Sequence, residues 1–241
     1  MRLTISTVVI ITSTLFSSSL FAYNFVVTEN EFRKMTPYCQ RSFANFSNAH
    51  KSGLQGKAPK HKGKDSIVAW HAGLWHFCGG VVKLNRAKST SNPLEREKYL
   101  RSGISNISYS YGQIDKSHPW TRDMFKAYIM AYRMLGERDN AKKYLDLAIK
   151  YQPEYIGIYS LYAMFYFDTG DYKGAVKVLL EGNNIAEGKS AEIFYFLGLA
   201  MIEMREIEEA KKYEEKARSL GYPLEGLSLK IKRAEIKKKT P

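Results

Sequence analysis

The stretch AWHAGLWHFCGG at residues 69–80 gathers residue types that can bind metals or attack carbonyls. Within it stand Trp70, His71, Trp75, His76 and Cys78. On a helix turning about 100° per residue, His71, Trp75, Cys78 and Val82 share one face, and His76 lies about 140° round from His71. A metal on this helix would therefore meet one imidazole and one sulfur. Cys39, the only other cysteine in the chain, raises the set to three, short of the four ligands of a structural zinc site. Cys78 with His71 or His76 as base has the elements of a nucleophilic pair. Its neighbours Trp70, Trp75, Phe77, Val81, Val82 and Leu84 are apolar, however, and would hold the thiol protonated.

Other chemistries are no better served. The acidic doublets Glu208-Glu209 and Glu214-Glu215 sit among lysines at the spacing of solvated ion pairs, with Glu208 four residues before Lys212. The sequence has no glycine-rich phosphate loop, no HExxH and no GxSxG. The expectation is a chain with no catalytic residues, no metal and no cofactor.

The start of the chain bears on the cysteines. Arg2 is followed by an uncharged, apolar and hydroxyl-rich run from Leu3 to Phe16, and Ala22 closes the segment as a small cleavage-site residue. Residues 1–22 thus read as a cleaved signal peptide, and no later stretch is apolar enough for an integral membrane span. Export places the protein in an oxidising compartment, periplasmic or secreted. There, two cysteines predict a Cys39–Cys78 disulfide, with a pair of buried free thiols as the alternative. Closing a loop of 39 residues contributes about 3–4 kcal/mol in the chain-entropy account.

The chain is basic, with a formal charge of +13. Lys57, Lys60, Lys62 and Lys64 lie in a glycine-rich loop at 49–65, and KIKRAEIKKKTP closes the chain. An exported protein meets little nucleic acid, so none is expected as a partner. An anionic envelope component is the alternative partner for these lysines, which otherwise read as solvated, flexible segments.

The elements that position these residues come from an internal repeat. Ala141, Ala175 and Ala210 recur at spacings of 34 and 35, and Gly136 and Gly170 stand five residues before the first two. Ala148, Gly182 and Ala217 stand seven residues after the three alanines. Small residues at these places let paired helices approach closely, and the glycines serve the turns between them. Upstream, helical spacing runs from Ser66 to Lys88, and a second helix starts at Pro93 and runs to Ile107. The two form a degenerate pair with Tyr99, Leu100 and Gly103 at packing positions, followed by a polar connector over 109–120. Gly79 and Gly80 are costly inside a helix and call for a close crossing or a kink. Thr28 and Glu31 have capping-box spacing, and Pro37 opens a short helix carrying Cys39.

These repeats resemble the tetratricopeptide-repeat family. Phe125, Tyr159 and Phe194 match its large aromatic on the first helix, Ala163 and Gly198 its following small residue, and Tyr132 and Tyr166 its second aromatic. TGDYKGAV (169–176) is close to the family's inter-helix turn. The resemblance implies an all-α solenoid, with three repeats over 121–223 and a capping helix and basic tail over 224–241. The N-terminal helical segment is then 23–48 and the degenerate pair with its connector 66–120. Pro37-Tyr38-Cys39, Trp75-His76-Phe77-Cys78 and Leu84-Asn85-Arg86-Ala87 are similar to a group of exported bacterial members of this family. That likeness implies the paired cysteines and no enzyme.

The family frame places a concave groove on the first helix of each repeat. Its lining would be Asp123, Lys126, Met130, Arg133 and Met134, then Gly157, Ser160, Met164, Phe167 and Asp168, then Glu192, Tyr195, Leu199, Ile202 and Glu203. This apolar floor with charged edges suits a helix or an extended peptide, with methionine giving adaptable contact. The family's carboxylate clamp is disfavoured, because Met130 replaces its asparagine although Lys126 matches its lysine. Part of the floor would alternatively be covered by the chain's own terminal helices. The expected function is a non-enzymatic exported scaffold that binds a protein or peptide segment during envelope or surface-structure assembly.

Overall fold

The structure, a computed structural model, describes residues 26–44 and 73–239. The leader 1–22, the loop lysines Lys57, Lys60, Lys62 and Lys64, and His71 lie outside the described residues. All regular structure among the described residues is helical: α1 (Glu29–Arg33), α2 (Pro37–Ala44), α3 (Leu74–Ser89), α4 (Pro93–Gly112), α5 (Thr121–Leu135), α6 (Arg138–Tyr151), α7 (Gly157–Thr169), α8 (Tyr172–Ile185), α9 (Ala191–Glu203), α10 (Ile207–Ser219) and α11 (Gly226–Lys239). Consecutive helices pair as α3/α4, α5/α6, α7/α8 and α9/α10. Within the stack α3 meets α5, α5 meets α7, and α7 meets α9, so these four form the inner layer of an α-solenoid. Helix α11 packs on both α9 and α10.

The small residues sit where helices cross. Ala141, Ala148, Ala175 and Ala210 are fully buried. A Cβ at Gly182 would stand 2.6 Å from the Cβ of Tyr159, so only glycine lets α8 lie this close to α7. The irregular first pair uses the same device. A Cβ at Gly80 would lie 2.9 Å from the Gly103 carbonyl, and one at Gly103 would lie 2.7 Å from Leu84. Of the two glycines expected to mark a crossing or a kink, Gly80 marks a crossing.

Helix α3 is described from Leu74, with Gly73 before it in the left-handed region, and residues 66–72 of the expected run lie outside the described residues. One element bound differs from expectation. Helix α4 continues to Gly112, past the expected end at Ile107. It continues because Tyr109 rests on the His76 ring, with centroids 4.0 Å apart, and Tyr111 packs edge-on to Phe125 and Tyr128. The shortened connector is tied down by buried polar groups. Gln152 Nε2 stands within 3.2 Å of the Lys116 and His118 carbonyls and of Thr121 Oγ1. Thr121 Oγ1 itself donates to those same two carbonyls.

The N-terminal helices are fastened to α3. Cys39 and Cys78 are bonded, with their Cα atoms 5.4 Å apart. Arg86 Nε and Nη2 donate to the two oxygens of Glu31 at 2.6 and 2.9 Å. The same carboxylate accepts from Thr28 N–H in a reciprocal capping box. Phe32 and Phe43 complete the attachment by burying against Val82.

The turn glycines Gly136 and Gly170 adopt φ of 74° and 73°, and the equivalent place in the third pair is Arg205 at φ 66°. An L-residue there is strained, and the exposed Arg205 side chain makes no hydrogen bond or ion pair among the described residues to offset it. Arg205→Gly is expected to raise the unfolding free energy by about 0.5–1 kcal/mol, read from urea melts; an equal or lower midpoint contradicts this account. A second expectation concerns pH. The Arg86 hydrogen bonds, aided by those from Thr28, hold the Glu31 carboxyl at about 2 instead of 4.5. Because the folded value is the lower one, this stabilisation is present above about pH 4.5 and is lost as pH falls towards 2. Across that window wild type should lose more stability than Glu31→Gln; parallel pH profiles would remove Glu31 from the attachment.

Candidate protein-binding groove

The inner helices present a surface whose parts have different fates. Lys126 is exposed, while Met130, Met134 and Met164 are half-buried. Met130, Met134 and Met164 line a cleft of about 450 Å³ between α5 and α7, with Arg133, Arg138 and Asp168 at its edge. Met130 and Met134 also border an adjoining cleft of about 220 Å³, walled by Val81, Leu84 and Lys88 of α3 and by Lys126. The two clefts share these methionines and form one open stretch of inner surface across α3, α5 and α7.

Arg133 is not a free cation at this site. Its Nε and Nη2 grip the two oxygens of Asp168 at 2.7 and 3.0 Å, joining α5 to α7 across the groove. The bidentate geometry fixes the spacing of the two inner helices. Phe167 is likewise engaged, packing against Tyr172 and Phe196 at centroid distances of 6.0 and 6.2 Å.

The third-repeat lining is covered by the chain itself. Leu199 and Ile202 pack on Leu227 and Ile231 of α11. Tyr195 stacks on Tyr222 at 4.4 Å. Glu203 accepts an ion pair from Lys230 at 3.0 Å. Gly198 makes this seat possible, because a Cβ there would come within 2.4 Å of Leu227. Tyr195, Leu199 and Ile202 are thus the seat of a helix of this chain rather than open groove, and of the two occupants the sequence left open it is the C-terminal helix that is found here. At the other end Tyr38 donates to Asp123 Oδ2 at 3.0 Å and stacks on Trp120, so α2 borders the groove there.

The α3 contribution is the part that the repeat frame misses. Val81, Leu84 and Lys88 extend the inner surface by one helix. The signal for them was the helical run before Pro93, which the degenerate spacing kept out of the repeat register.

The histidine-cysteine stretch has no free thiol. Cys78 Sγ is bonded to Cys39, the pairing expected from the sequence, so the nucleophilic alternative has no thiol. His76 lies between the rings of Trp75 and Tyr109, at 3.5 and 4.0 Å, and burial pushes its pKa down. Among the described residues no three His, Cys, Asp or Glu side chains are grouped to hold a metal ion.

Comparison with known proteins gives one family match, over a short segment. Residues 130–155 match the family described as tetratricopeptide repeat. A comparison with curated proteins gives no match. Among solved structures the chain is similar to the one titled "Crystal structure of MamA", at 17% identity and a TM-score of 0.41, over 74% of this chain and 99% of that one. The matched residues run from α5 through α6; the glycine turn of that hairpin recurs at Gly170, and its small buried residues recur at Ala175, Gly182, Ala210 and Ala217. Residues 130–155 thus carry a tetratricopeptide-repeat match within an all-helical stack of paired helices.

Proposed function

We propose that this protein is an exported, non-enzymatic scaffold that holds a segment of another protein in the open groove across α3, α5 and α7, in the assembly of an envelope or surface structure. Tetratricopeptide-repeat domains bind protein partners, and the observation that carries the reading here is the cleft of about 450 Å³ lined by Met130, Met134 and Met164. Three flexible thioether side chains on rigid helices offer a deformable apolar floor, suited to a helix or an extended segment with one or two large apolar anchors. Lys88 and Lys126 line the adjoining cleft and supply polar contacts at its edge. The leader-like segment 1–22 and the Cys39–Cys78 bond support export to an oxidising compartment, periplasmic or secreted.

The test is a photoreactive residue at Met130, cross-linked in intact cells, followed by binding measurements with the captured protein. Met130→Glu/Met164→Glu should weaken that binding by about ten-fold or more, since charges then stand where apolar anchors seat. The thermal unfolding midpoint should hold, because both side chains are only half-buried. Unaltered affinity in the double variant excludes the groove.

A further inference from the structure

Helix α11 carries two apolar stripes on opposite sides. At about 100° per residue, Leu227, Ile231 and Ala234 fall together on one side, while Leu229 and Ile236 fall on the other, about 20° apart. The burial follows this division. Leu227 and Ile231 are 1% and 6% exposed, against α9 and α10, whereas Leu229 and Ile236 are 50% and 64% exposed. Leu224, just before the helix, is 59% exposed.

Cations flank the outer stripe on both sides. Lys232 lies on one edge, and Arg233 and Lys237 lie on the other. All three are exposed, and Lys232 also acts on Glu214 of α10, helping to hold that carboxyl below its usual value. The only acidic residue of the helix, Glu235, is bound by Lys211 at 2.7 Å. Lys230, further round, is held by Glu203 at 3.0 Å.

We infer that the outer face of α11 docks this protein on an anionic bilayer surface, independently of the groove. The occupant is argued from the pairing of the two features. A soluble polyanion would satisfy Lys232, Arg233 and Lys237 but leave Leu229 and Ile236 in water. A bilayer satisfies both, because apolar side chains enter the headgroup and acyl boundary while the flanking Lys and Arg stems reach up to phosphates. At 14 residues the helix is well short of the ~20 needed to span, so it lies in the plane of the interface. The inner stripe remains seated on α9 and α10, so docking requires no rearrangement of the repeats.

The test is co-sedimentation of the purified, disulfide-intact chain with vesicles of phosphatidylcholine alone and of phosphatidylcholine with about 30% phosphatidylglycerol. Binding is expected on the anionic vesicles only, and it should weaken as salt rises from about 0.1 to about 1 M. Leu229→Ser/Ile236→Ser and Lys232→Glu/Arg233→Glu should each reduce the bound fraction about ten-fold, with unfolding midpoints unchanged. Wild-type binding by both variants would assign the attraction to the lysines of 51–64 and overturn the proposal. Loss in the charge variant alone would mark a site for a soluble polyanion and overturn it as well. Absence of binding, or equal binding to neutral vesicles, would also overturn it.

Discussion

The architecture depends on how closely paired helices can approach. A helix axis can come near its partner only where one side presents no bulk, and here that condition recurs at Ala141, Ala148, Ala175, Gly182 and Ala210, all buried. Beside Gly182 the space is filled by Tyr159 of the partner helix. Hairpins closed in this way have one thin dimension and stack with their first helices adjacent, which is what creates an inner surface at all. The pair α3/α4 lacks the repeat spacing yet meets the same requirement with Gly80 against Gly103. It can therefore join the stack and lengthen the groove.

The two ends of that inner surface are closed by different forces. At the C-terminal end the closure is apolar: Leu227 and Ile231 of α11 cover Leu199 and Ile202, and Gly198 gives Leu227 its seat. At the N-terminal end α2 is held by a covalent bond, a capped ion pair and the Tyr38 contacts with Asp123 and Trp120. Between these ends the methionines stay half-buried, neither part of the core nor claimed by a terminal helix. Arg133 and Asp168 brace the same stretch from α5 to α7, so the floor is deformable while its frame is not.

Much of this was legible in the sequence, for a definite reason. Small residues at spacings of 34 and 35 are forced by the crossing geometry, so the repeats and their turn glycines announce themselves. The cysteine pairing followed from counting two sulfurs in a chain with an export-like leader. What could not be read was which apolar residues stay open. Leu199 occupies the same repeat position as Met130 and Met164, and nothing local distinguishes the covered residue from the open ones. The capping helix was expected over 224–241, but which of the two terminal helices covers the floor was not readable, because Leu227 and Leu229 face opposite ways amid a basic run. Gln152 and Thr121 were silent for another reason: their partners are backbone carbonyls, which carry no residue type.

The contrast between the two ends explains why one of them carries a disulfide. Helix α1 has five residues and α2 has eight, too short to persist on their own propensity. They bury few large apolar side chains, chiefly Val27, Phe32 and Phe43. Ordering that many residues for so little burial leaves the attachment marginal. The Cys39–Cys78 bond removes much of the unfolded chain's freedom over a separation of 39 residues, and it acts whatever the apolar area. Helix α11 needs no such help, since it is 14 residues long and follows α10 by a short turn. A covalent clamp thus stands at the end built from two short helices, while the longer α11 is held by its apolar contacts and its short link to α10.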